Sequence, residues 1–187
     1  IEADGTKILP DGRRAKPAGA EWAFTDQTGG LPSIVMTIPG TRRVVTVDTG
    51  YGAHMVRTID LDKVGSGDPV LGKLKFDNPK TLNSGIALVG TDLLYVATSN
   101  GIVQAMKLDP VTGALTMDDT RNLKLPPATS RDGKPIPWHV AAVAASADGK
   151  RLVVGAVLER RALVYDVEKG SATFGETRRA KRSRATI

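Results

Sequence analysis

The sequence predicts an all-β fold built from one repeated sheet, and three observations carry that prediction. Ile34, Ile86 and Val140 each open an apolar run, 52 and 54 residues apart. In each unit a turn glycine follows (Gly40, Gly90, Gly149), with an apolar residue four places later (Val44, Leu94, Val153) and an aspartate (Asp60, Asp109, Asp166) 17 to 20 residues after the glycine. Between these marks the runs are short, rich in Val, Ile, Leu, Thr and Tyr, and interrupted too often for a helix of about ten residues or more. A four-stranded antiparallel unit recurring at this period describes the blade of a β-propeller, in which each sheet packs face to face with the next around an axis. An irregular β-sandwich of similar strand content is the competing fold, but it does not require the register to recur.

Taken in order, residues 1–30 form an N-terminal segment that lends one or two strands to a shared blade. Blade 1 occupies 31–80, with Arg42–Asp48 as its middle strand, Met55–Leu61 as its third and Pro69–Phe76 as a weaker fourth. Blade 2 occupies 81–127, with strands over Leu93–Ser99 and Ile102–Leu108, and a fourth over roughly Ala114–Leu125. The Pro- and Gly-containing stretch 118–137 reads as a long surface loop, the kind of place where binding function resides. Blade 3 occupies 138–175, with strands over Lys150–Val157 and Arg161–Val167, and 176–187 is a basic tail. The middle strands are almost continuously apolar, as expected where both faces of a sheet are covered. Aspartates at the recurring positions, Asp48 among them, read as turn formers, because Asp can accept a hydrogen bond from its own downstream amides.

Composition narrows the function. The chain has 187 residues, 41% hydrophobic and 25% charged, enough to bury a real core and far from the balance that keeps chains unfolded. It contains no cysteine, which excludes disulfides, thiolate metal sites and cysteine nucleophiles. No apolar run reaches the roughly 18 to 20 residues of a membrane-spanning helix. The formal charge is +6, but Arg178, Arg179, Lys181, Arg182 and Arg184 against Glu176 place most of it in the tail. With only two Trp, three Tyr and three Phe, base-stacking platforms are hard to assemble, so nucleic acid is not an expected partner.

Candidate chemistry is sparse. His54 and His139 are the only histidines, so a metal site made of histidines alone is excluded. His139 follows Pro137-Trp138 where an inner strand begins, at the end of a blade that lines the channel mouth. Trp138 and His139 are therefore the leading candidate ligand contacts, with Asn83 and Ser84 at the corresponding start in blade 2; the alternative for Trp138 is packing between blades. His54 reads as a solvated histidine in a hairpin. Thr49-Gly-Tyr-Gly lacks the lysine and the following helix of a phosphate loop. No serine stands in a nucleophile elbow, and no catalytic or metal-binding set is assigned.

Leu94-Tyr-Val-Ala-Thr-Ser-Asn-Gly, followed by Val103–Leu108 and Asp109-Pro-Val-Thr-Gly, resembles the YVTN-type propeller repeat of bacterial and archaeal surface and periplasmic proteins, a WD40-like architecture. Ser146-Ala-Asp-Gly-Lys resembles the turn of the same repeat. The front of the chain, Ile8–Gly19 with Gly30-Leu-Pro and Val47-Asp-Thr-Gly-Tyr-Gly, looks like the opening of propellers joined to phosphoesterase-family proteins. This resemblance implies a periplasmic or extracellular protein. Ile1 in place of Met, with no leader composition behind it, leaves a signal peptide either removed or never present and favours removal. Three blades are too few to close a ring of the usual four to eight, so the expectation is a segment of a larger, seven-bladed propeller, completed by blades from another chain or from missing sequence. The expected function is a non-catalytic scaffold or protein-binding module without a cofactor. The alternative is the propeller portion of a phosphoesterase-like or lactonase-like hydrolase, where a divalent cation would enter.

Overall fold

The computed structural model describes residues 6–8, 10–16, 19, 31–49, 53–77, 81–129, 132–136, 139–156 and 161–178. Strand β1 (Lys7–Ile8) pairs with β2 (Arg14–Ala15) in a small ribbon. The first large sheet is a meander of β3 (Leu31–Thr37), β4 (Arg43–Thr49), β5 (His54–Asp60) and β6 (Val70–Phe76). The second comprises β7 (Leu82–Val89), β8 (Leu93–Thr98), β9 (Ile102–Leu108) and β10 (Leu115–Met117), with β11 (Leu123–Lys124) also pairing to β9. After a second ribbon of β12 (Ala128–Thr129) and β13 (Pro135–Ile136), the third sheet runs β14 (Val140–Ala145), β15 (Arg151–Ala156), β16 (Arg161–Asp166) and β17 (Thr177–Arg178). Every pairing is antiparallel and, apart from that of β11 with β9, joins neighbours in this order, so the chain is an all-β arc of three consecutive propeller sheets. No helix is long and apolar enough to cross a membrane among the described residues.

The punctuation seen in the sequence makes the corners. Gly40, Gly90 and Gly149 take φ of +73°, +64° and +68°, a region open to glycine at no steric cost. At the next reversal Asp60, Asp109 and Asp166 each accept a hydrogen bond from the amide two residues on, at 3.1, 2.8 and 3.0 Å. Asp48 does something else. It lies inside β4, fully buried, in an ion pair with the equally buried Arg57 of β5, so the reading of Asp48 as a turn former is corrected. The fourth element of the second sheet is also broken up: β10 ends at Met117, a 3-10 turn covers Asp119–Arg121, and β11 restarts at Leu123. Asn122 holds the break, accepting from the Ala105 amide at 2.8 Å while its own amide donates to Asp119 at 2.9 Å.

Two cores flank the middle sheet. On one side Val45, Val47 and Val56 of the first sheet meet Leu94, Val96 and Met106 of the second. On the other, Tyr95, Ala97 and Val103 meet Val143, Leu152, Val154 and Tyr165 of the third. Because both faces of β8 are covered, all six of its residues are buried, each large aliphatic contributing about 1.5–3 kcal/mol. Strand β15 differs: Leu152, Val154 and Ala156 are buried, while Val153 between them is 40% exposed.

This alternation corrects the repeat alignment. Ile38 and Ser146 donate their amides to Arg43 and Arg151 respectively, and Leu61, Leu108 and Val167 donate theirs to Arg42, Asp92 and Lys150. The residues that correspond are thus Val44, Leu94 and Leu152, followed by Val45, Tyr95 and Val153. The Ser-Ala-Asp-Gly-Lys turn carries its glycine one place later than the first unit does, so counting from Gly149 lands on the wrong face of the strand.

Candidate functional site

The inner strands β3, β7 and β14 each carry a register shift early in their length, between Pro32 and Ile34, Leu82 and Ile86, and Val140 and Ala142. Such bulges bend a strand and re-aim its side chains, and they gather beside functional sites. In β7 the shift spans Asn83, Ser84 and Gly85. Gly85 is where β7 and β14 approach: a Cβ built there would lie 2.9 Å from the Val143 amide nitrogen and 3.0 Å from the Ala142 carbonyl carbon.

Three of the four candidate ligand contacts meet here. Asn83 is half-buried, and its side-chain amide donates to the Val140 carbonyl of the neighbouring sheet at 2.6 Å. His139, directly before Val140, is exposed, as is Ser84. Trp138 lies outside the described residues. The bond from Asn83 ties the two inner strands together, so this amide is partly committed to structure, while Ser84 and His139 present a hydroxyl and an imidazole to solvent. Hydrogen bonding to a ligand is what such a set can do chemically.

His54 is not a solvated hairpin residue. It begins β5, half-buried, and its Nδ1 accepts the Leu82 amide at 3.1 Å, linking the first and second sheets at the same end as Asn83. Its place beside Gly50-Tyr51-Gly52 in the sequence hid this role, because sequence gives no sign that the next sheet supplies an N–H at that point.

At the opposite ends of these strands a cleft of about 480 Å³ opens beside the second sheet, lined by Asp92, Lys107, Asp109, Thr116, Arg121 and Lys169 among others. Two of its cations face a carboxylate behind the lining: Asp118 lies 3.8 Å from Lys107 and 3.9 Å from Arg121, and the Arg121 guanidinium sits 5.9 Å from the Phe174 ring centroid. The hydroxyl and amides of Thr112 and Val111 hold the Asp109 carboxyl below its ordinary range. Among the described residues no group of three or more His, Cys, Asp or Glu is placed to hold a metal ion.

No family model matches the chain, and no curated protein matches it. Its fold is similar to solved propellers. The Dos1 propeller superposes with a TM-score of 0.52 at 17% identity, over 88% of this chain and 36% of that one. The periplasmic gluconolactonase PpgL of Pseudomonas aeruginosa superposes with a TM-score of 0.59 at 17% identity, over 83% of this chain and 43% of that one. The chain spans less than half the length of these two proteins, and by fold it is an arc of a β-propeller.

Proposed function

We propose that the chain is a non-catalytic scaffold or protein-binding segment of a larger propeller that works outside the cytoplasm. The observation that carries this reading is the open outward face of the third sheet. The corresponding positions Val45 and Tyr95 are wholly buried by the sheet that follows them, whereas Val153 is 40% exposed. An apolar sheet face with the same position in the repeat calls for the same cover. Three sheets spread over 43% of a propeller's length scale to about seven blades, within the usual range of the fold. The blade limits 31–80, 81–127 and 138–175, a shared blade from 1–30 and kinship with the YVTN-type repeat belong to this reading. So does an extracytoplasmic location, which the periplasmic neighbour supports. Asn83, Ser84, Trp138 and His139 are its ligand contacts at the channel mouth.

The test is the mass of the native assembly. The reading expects a species well above 19.8 kDa, its further blades supplied by a second polypeptide or by additional sequence of the same chain; a stable monomer of that mass in native extracts overturns it. The likeness to a gluconolactonase favours one rival, the propeller portion of a lactonase-like hydrolase. A stoichiometric divalent ion in the purified assembly, with esterase activity lost on chelation, selects the rival.

A further inference from the structure

We infer that the cleft beside the second sheet binds one carboxylate carried on an extended chain, a peptide's acidic side chain or its C-terminus, held by Arg121, Lys107 and Lys169. The cleft lies at the opposite ends of the strands from the channel-mouth contacts, and the inference holds for a scaffold and for a hydrolase alike. The repeat shows why the cleft exists. On the forward face of each sheet, the face turned toward the sheet that follows, the register pairs Arg43 with Asp60, Leu93 with Lys107 and Arg151 with Asp166. Arg43 crosses the first junction and donates to the Pro110 and Val111 carbonyls at 2.7 and 2.6 Å, and Arg151 holds Asp166 at 3.2 Å. Leu93 can do neither. The second junction therefore keeps its cleft of about 480 Å³, and Lys107, standing where the other two sheets have an aspartate, lines it.

The donors in this cleft lack acceptors. Lys107 and Arg121 lie 3.8 and 3.9 Å from the same Asp118 oxygen, beyond hydrogen-bond length, and the other Asp118 oxygen accepts the Thr120 hydroxyl at 2.5 Å. The Lys169 side chain makes no hydrogen bond or ion pair among the described residues. Asp109 gives its carboxyl to the Val111 and Thr112 amides at 2.8 and 3.1 Å. Arg121 is fixed in place, because its carbonyl accepts the Tyr95 hydroxyl at 3.4 Å and its guanidinium lies 5.9 Å from the Phe174 ring centroid. A planar guanidinium held in this way is prepared for a carboxylate.

Charge selects the ligand. Asp92 and Asp109 in the lining, with Asp118 behind, offset the three cations, and among the described residues none of them accepts a hydrogen bond from any of the three. A cleft near neutrality takes a monoanion through charge-assisted hydrogen bonds, whereas the second charge of a phosphate finds nothing there to balance it. Because Lys107 and Arg121 both approach one oxygen, a single planar carboxylate can bridge them. A second hollow of about 280 Å³ shares Asp92, Leu93, Arg121 and Lys169 with the first and runs on to Gly149 and Lys150 along the second junction. Lys150 there is already paired with Glu168 at 2.8 Å, so the extension offers room for a chain without a second anion site.

Calorimetric titration of the tagged chain, purified from its native host with whatever assembles on it, supplies the test. The probes are acetyl-Ala-Glu-Ala-amide, acetyl-Ala-Ala-Ala with a free carboxyl, acetyl-Ala-Gln-Ala-amide, acetate and inorganic phosphate. At least one of the first two is expected to bind about tenfold or more tighter than the other three probes, and the tighter of the pair names the source of the carboxylate. Arg121→Gln should weaken that binding about tenfold. Lys107→Gln and Lys169→Gln, on exposed side chains, should each weaken it too, and they carry the test if the first variant does not fold. Asp118→Asn should strengthen binding about threefold or more by removing the competing carboxylate, a gain that a merely structural role does not produce. The inference is overturned by no binding of either carboxylate peptide, or by glutamine peptide, acetate or phosphate binding as tightly. Indifference to the cation substitutions, or no gain from Asp118→Asn, overturns it as well.

Discussion

Val153 and Val154 are adjacent and chemically identical, yet one is 40% exposed and the other wholly buried. In the isolated chain Val153→Asp is expected to change stability by less than about 0.5 kcal/mol, whereas Val154→Asp buries an unpaired carboxylate and costs about 3 kcal/mol or more; urea denaturation separates them. The strand was legible in the sequence, but its alternation was not, because an almost continuously apolar run reads as covered on both faces and the third unit's turn displaces the glycine by one residue. Two further residues contribute to the pH dependence of stability. Tyr165 donates to the Lys124 carbonyl at 3.1 Å, and burial pushes its hydroxyl up to about 12. A raised folded value means that stability is full below the ordinary value near 10 and falls as pH rises from there toward 12. Tyr165→Phe should lose about 1 kcal/mol at neutral pH and flatten that alkaline decline. Asp166 is the opposite case. The Thr173 hydroxyl, the Glu168 amide and the Ser171 hydroxyl hold its carboxyl down to about 2, with Arg151 adding to them against the opposing effect of desolvation. The stability it lends is present above the ordinary value of 3.8 and is lost as pH falls toward 2, so Asp166→Asn should remove part of the acid limb of a pH–stability curve.

Among the elements, the strands were readable and their contacts across sheets were not. Runs such as Leu93–Thr98 declare themselves by apolar continuity, and the turns by Gly and Asp. Nothing in Leu82-Asn-Ser-Gly, however, states that β14 passes within contact distance of Gly85. At that position a new methyl meets backbone atoms at 2.9 and 3.0 Å, and backbone cannot swing aside as a side chain can. Gly85→Ala should therefore cost about 1–3 kcal/mol, measured by thermal or urea unfolding. Gly155 on the open face is the control, since its added methyl would meet only Ala142, the Cβ at 3.4 Å and the carbonyl oxygen at 3.8 Å, and Gly155→Ala should be close to neutral in the isolated chain. The candidate site was half legible for the same reason. Asn83, Ser84 and His139 were found from their place where inner strands begin. The bond from Asn83 to Val140 and the bond from Leu82 to His54 depend on how neighbouring sheets align, and no local pattern encodes that.

Across the whole molecule, the two ends of the arc are unlike. The backward face of the first sheet is buried around an ion pair, and the forward face of the third is open and apolar. Breaking the pair should be severe: Asp48→Ala takes the carboxylate away from a buried guanidinium and is expected to cost about 3–5 kcal/mol, read as a lowered unfolding midpoint. Repeat architectures with two compatible ends risk adding copies without limit, because a head-to-tail contact that does not close on itself generates filaments. Here the backward face of the first sheet is already buried, so among the described residues only the forward face of the third sheet is left open to such a contact.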